Sequence, residues 1–184
     1  MSIWSIAEAN GTKEHGMPIP ERYSKIYIKE VADIILREYN KPFPIDVIEI
    51  AKSYGLEVLE GDFDRPDVSG MLDMSVPSII VAASDPFVRK RFSIAHEFGH
   101  FVLHYQGKAP ENGEKPMVSY RDTLSKMGFD VKEMEANFFA ANLLMPTDEV
   151  MKLYHNGYSN GEMAEYFNVS KAAILKRIGF LTNE

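Results

Sequence analysis

The 184-residue chain predicts an α+β fold, mainly helical, with a small and roughly three-stranded antiparallel sheet. Three observations lead there. Apolar residues recur at helical spacing on both sides of residues 56–84, and that central stretch holds short β-branched runs broken by turn residues. A hydrophobic content of 45% over this length suffices for one core, so the expectation is one domain with at most a small appendage.

Residues 1–20 mix Gly, Pro and charge without periodicity and are read as a loose leader. From Tyr23 to Tyr39, Ile26, Val31, Ile34, Ile35 and Tyr39 are spaced as one helical face, and "KPFP" ends the run. A second helix in "IDVIEIAKSYG" closes on Gly55. "LEVLEG", "VSGMLDM" and "SIIVAAS" supply the strands, the last two joined by a turn near Val76 and Pro77. In "SDPFVRKRFSIAHEFGHFVLHY", Ser84 or Asp85 can cap a long helix with Pro86 in its first turn. A polar loop is expected over 106–118, a helix from Asp130 to just before Pro146, and two or three short helices beyond it. The domain reading is therefore a leader at 1–20, a catalytic-type domain at 21–157 and a helix pair at 158–184.

Composition removes several function classes. Without cysteine there is no disulfide, no thiolate metal site and no cysteine nucleophile, so any metal must be held by His, Asp or Glu. The first residues lack the basic and apolar regions of a secretion signal, and no run is long enough to span a bilayer, which points to a cytoplasmic protein with no membrane partner. With 27 acidic against 20 basic side chains, the net charge of -7 disfavours nucleic acid as a direct partner.

The chemistry concentrates in "RFSIAHEFGHFVLH", residues 91–104. A helix turns about 100° per residue, so His96 and His100 lie about 40° apart and one turn along, able to grip one ion together. Glu97 can reach a water on that ion, the arrangement of the H-E-x-x-H signature. A catalytic zinc generally takes a third protein ligand. The extended signature with a third histidine is absent, since Leu103 and Gln106 stand at its positions. His104 is about 12 Å from His96 along the axis, too far to share the ion, and is read as a hydrogen-bonding neighbour.

The helix "DVKEMEANFFAANLLMP" offers two glutamates. Asp130 and Glu133 read as a capping box, which leaves Glu135 on the shoulder of a stripe formed by Met134, Phe138, Ala141 and Met145. The expected metal ligands are therefore His96, His100 and Glu135, with Glu97 as the catalytic base. Zinc is the expected metal, although the same ligands accept manganese or iron. Tyr105, Tyr120, His104 and Arg121 are candidate donors to a developing oxyanion. Asn137 and Asn142 are candidate supports, and Gly99 either permits close packing or is merely tolerated.

"RFSIAHEFGHFVLH", "SYRD" at 119–122 and "EMEANFFAANLLMP" together resemble the ImmA/IrrE metallopeptidases, with the order of elements fitting from about residue 25 to 180. The resemblance implies a zincin-like peptidase domain, a zinc ion, and a cytoplasmic endopeptidase that cuts an Xre-like helix-turn-helix repressor or antitoxin. By motif position it puts the family's ligands on His96, His100 and Glu135 and its catalytic glutamate on Glu97.

Residues 161–181, "GEMAEYFNVSKAAILKRIGFL", resemble a helix-turn-helix: Ala164 suits a close contact, Asn168 a left-handed turn and Ser170 a cap, with Lys171, Lys176 and Arg177 supplying charge. The alternative function is accordingly a regulatory or toxin-antitoxin binding module with a structural metal, or a DNA-associated regulator using this pair. For a peptidase, the strand from Val68 to Met74 is a candidate to pair with an extended substrate.

Overall fold

The computed structural model describes residues 22–105, 117–120 and 131–183. The leader, most of the 106–118 loop, Asp130 and Arg121 lie outside them. Helix α1 (Lys25–Tyr39) starts at Ser24, whose side chain accepts the Tyr27 N–H, and ends on Asn40 in the left-handed conformation. Its buried face is Ile28, Val31, Ala32, Ile34 and Ile35, whereas Ile26 is 80% exposed, so the face lies rotated from the expected one. Helix α2 (Val47–Ser53) is capped by Asp46, and Gly55 follows at a φ of 86° that favours glycine.

Strands β1 (Glu57–Gly61), β2 (Val68–Asp73), β3 (Ser78–Ala82) and β4 (Met117–Tyr120) form one sheet in the order β1-β3-β2-β4. Two features depart from the expected sheet. Strand β1 pairs parallel with β3, making the sheet mixed, because the 62–67 connection carries the chain past β3 before the β2–β3 hairpin closes. The fourth strand, β4, begins in Met117 and Val118, which were read as loop, and pairs antiparallel with β2. Thus β2 has neighbours on both sides, and the strand proposed for substrate pairing is not an edge.

Helix α3 (Phe87–His104) packs across β2 and β3 and against α2. It begins after Pro86 without a side-chain cap. Helix α4 (Val131–Leu144) lies along α3 and also touches α1. Its core face is Ala136, Phe139, Ala140 and Leu143, while Met134 is 42% exposed. The expected stripe through Met134 was thus out of phase.

Helices α5 (Thr147–His155), α6 (Asn160–Phe167) and α7 (Lys171–Thr182) complete the chain. Met163, Ala164, Phe167, Val169 and Ile174 enter the same apolar core as α1, α3 and α4. Asn168 takes the left-handed turn and Ser170 caps α7. Two buried arginines fasten this end. Arg91 donates to the carbonyls of Ile45 (2.8 Å), Asn168 (3.1 Å) and Phe167 (3.4 Å). Arg177 donates to Met145 O (3.1 Å), Asn142 Oδ1 (2.7 Å) and Thr147 Oγ1 (3.0 Å).

Candidate metal centre

The site forms beside a close approach of α3 and α4. A Cβ on Gly99 would lie 2.9 Å from Phe139 Cδ1 and 3.3 Å from Ala136 Cα and O, so glycine is what lets the two backbones meet. The turns of α3 on either side of this contact bear the histidines, and the first two turns of α4 bear the glutamates.

His96, Glu97 and His100 are buried, as the sequence required of a functional cluster inside an apolar helix. The carboxylate brought to the two histidines is Glu133, where Glu135 had been expected. Glu133 Oε2 lies 3.2 Å from His96 Nε2, and Oε1 lies 3.1 Å from His100 Nε2. The two Nε2 atoms are 3.0 Å apart. Among the described residues, His96, His100 and Glu133 form the group of side chains able to share one ion. Glu135 points elsewhere: Oε2 meets His104 Nε2 at 3.0 Å and Oε1 accepts the backbone N–H of Tyr23. The physical reason is rotation. Residues two apart on a helix face about 200° apart, so only one of the two can face the histidine pair.

The donor set fits a divalent ion. Bonds of about 2.05 Å in a tetrahedron place ligand atoms about 3.3 Å from one another, close to the separations seen here. Asn137 Oδ1 lies 3.1 Å from His96 Nδ1, so that nitrogen carries the proton and Nε2 presents a lone pair to the cluster. Glu133 Oε2 is buried and lacks a well-formed hydrogen bond, although it sits within ion-pair distance of His96. Lone pairs converging on a buried carboxylate need a cation between them.

Electrostatics agree with the geometry. Burial works against a charged His96, but the adjacent Glu133 and Glu97 carboxylates outweigh it and raise its pKa. Burial pushes His100 down to about 4, with the charge of His96 adding to the effect. His104 is also lowered, chiefly by burial, and stays neutral near pH 7. For Glu133, burial opposes ionisation, yet the His100 and His96 imidazoles beside it hold it far below the usual carboxylate range.

Above Glu97 passes β2. The register between β2 and β4 slips at Val68–Gly70, and a Cβ on Gly70 would come 3.2 Å from Glu97 Oε1 and 3.5 Å from Ser93 Cβ. This contact was not anticipated, and the lone glycine inside an alternating strand was its signal. His104 faces inward to His100 and Glu135, which occupies it as an oxyanion donor. Asn137 supports His96, whereas Asn142 serves Arg177 and the Phe138 carbonyl. In the C-terminal pair Lys171 and Lys176 are exposed, but Arg177 is committed to the core.

A helix carrying H-E-x-x-H, joined by a glutamate from a second helix and roofed by a strand, defines a metallopeptidase. The family model described as the IrrE N-terminal-like domain matches residues 51–179 of this chain, which belongs to that peptidase family and is a metallo-endopeptidase. Metallopeptidase ImmA of Bacillus subtilis (strain 168) is 24% identical over 168 residues, covering 88% of this chain and 91% of that protein. The fold also matches the structure of a Mycobacterium tuberculosis transcriptional regulator with a TM-score of 0.57 and 15% identity, over 80% of this chain and 44% of the regulator. The chain thus spans less than half of that structure. Among the described residues no helix is long and apolar enough to cross a membrane.

Proposed function

We propose that the chain is a zinc-dependent endopeptidase acting on a cytoplasmic protein, an Xre-like helix-turn-helix repressor or antitoxin, with His96, His100 and Glu133 as metal ligands and Glu97 as catalytic base. The observation that carries the ligand assignment is the convergence of two imidazole nitrogens and one carboxylate within 3.0–3.2 Å. When bound, zinc polarises a scissile carbonyl and acidifies water. Glu97 takes a proton from the attacking water and delivers it to the leaving amine, a role suited to a carboxylate held beside His96 under the β2 backbone. Asn137 keeps His96 in the ligating tautomer.

Membership of the ImmA/IrrE type supports a repressor as substrate, and the likeness to a transcriptional regulator is consistent with it. The test is incubation of the zinc-loaded protein with the repressor encoded beside it. Glu97→Gln should retain one zinc by elemental analysis and lose cleavage by about 100-fold or more. Cleavage at the wild-type rate in that variant would overturn the assigned base. Biological activity persisting without any cleavage would instead favour a binding module with a structural metal.

A further inference from the structure

Glu135 and His104 are buried, polar and outside the ligand set, and together with Tyr23 they form a chain of contacts ending on a metal ligand. We propose that Glu135 and His104 are positioning residues that fix the tautomer of His100, so that its Nε2 presents a lone pair to the metal. This rests on the ligand assignment above.

The chain of protons starts from a donor that cannot reverse. The backbone N–H of Tyr23 can only donate, and Glu135 Oε1 accepts it. Tyr23 is itself fixed, its hydroxyl donating to Leu103 O at 2.8 Å and its ring stacked on Tyr27 at 5.1 Å. The other carboxylate oxygen, Oε2, lies 3.0 Å from His104 Nε2, which must therefore be the protonated nitrogen. A neutral imidazole has one N–H, so His104 Nδ1 is an acceptor. It lies 2.9 Å from His100 Nδ1, which must donate. That leaves His100 Nε2 bare, 3.1 Å from Glu133 Oε1 and 3.0 Å from His96 Nε2. The two ligand imidazoles are thus set by different devices, His96 directly by Asn137 and His100 through a second histidine and a carboxylate.

Reversing one link predicts the failure. In Glu135→Gln the amide oxygen must face Tyr23 N–H, which turns the NH₂ toward His104 Nε2. His104 then carries its proton on Nδ1, His100 must accept there, and the His100 proton moves to Nε2, into the metal position. A packing role would tolerate this near-isosteric change.

The experiment measures zinc affinity by chelator competition for wild type, Glu135→Gln, His104→Phe, the double variant and Glu133→Gln, with ¹⁵N ring shifts of His104 recorded on zinc-loaded protein. Glu135→Gln and His104→Phe should each weaken zinc by about 10–100-fold, the usual effect of removing the support of a ligating histidine. The double variant should be no weaker than His104→Phe, because the two act in series. His104 should be protonated on Nε2 in wild type. Wild-type affinity in Glu135→Gln, loss in Glu135→Gln with none in His104→Phe, or a wild-type His104 protonated on Nδ1 would each overturn the proposal. The nitrogen shifts of the wild type decide it even where a variant fails to fold. Failure of the underlying ligand assignment looks different: Glu133→Gln would then hold zinc as tightly as wild type.

Discussion

Gly99 sits in mid-helix, where glycine costs about 1 kcal/mol relative to alanine, and the geometry explains why it stands there. An added methyl would press on the Ala136 backbone at 3.3 Å as well as on the Phe139 ring. Backbone in the middle of a helix cannot step aside as a side chain can. Gly99→Ala should therefore destabilise the fold by about 1–3 kcal/mol in spite of better helix propensity, read from a denaturant midpoint. A gain in stability would show that the two helices can separate freely. This contact also explains which residues were legible. His96, Glu97 and His100 share one helix, so their spacing alone placed them together. The choice between Glu133 and Glu135 depended on how α4 is rotated against α3, a tertiary fact set by Gly99 and Ala136 that no local pattern encodes.

At the scale of elements, most boundaries marked by caps were readable, although α3 starts at Pro86 and not from Ser84 or Asp85, and faces were not. Ser170, Asn168 and Gly55 act where their chemistry suggested. Helix α4 is apolar on most sides, so several stripes fit its sequence equally well and its pattern does not single out the core face. The parallel pairing of β1 depends on strand order, which short runs do not specify. Helix α6 offers a pH-dependent test. Its capping box holds Ser159 against Glu162, and the hydrogen bonds from Ser159 lower the Glu162 pKa below its ordinary 4.5. A carboxylate lowered on folding adds stability that is present above pH 4.5 and lost as pH falls through the folded value. Titration of Glu162 by NMR should give a midpoint below 4.5, returning toward it in Ser159→Ala. An unchanged midpoint in that variant would remove the capping box as the cause.

For the whole molecule, Arg91 matters more than its place on the catalytic helix suggests. It leaves α3 away from the histidines and binds three carbonyls, two of them at the end of α6. Unsatisfied buried acceptors cost about 1–3 kcal/mol each, so Arg91→Met should remove several kcal/mol, a large share of an ordinary domain's stability. The exposed pair of Lys41 with Glu49 serves as a control, and Lys41→Ala should leave stability almost unchanged. Equal effects by thermal or chemical unfolding would mean that the Arg91 clamp is dispensable.

Helix α3 is thus gripped along its whole length, by Arg91 near its start and by Ile94, Phe98, Phe101 and Leu103 in the core. The ligand scaffold takes its rigidity from hydrocarbon packing, so the ion need not supply folding free energy in the way it does for a zinc finger. The packing of α3 thus sets the fold's stability apart from the affinity of the proposed metal site, which polar neighbours can tune while the architecture around them stays the same.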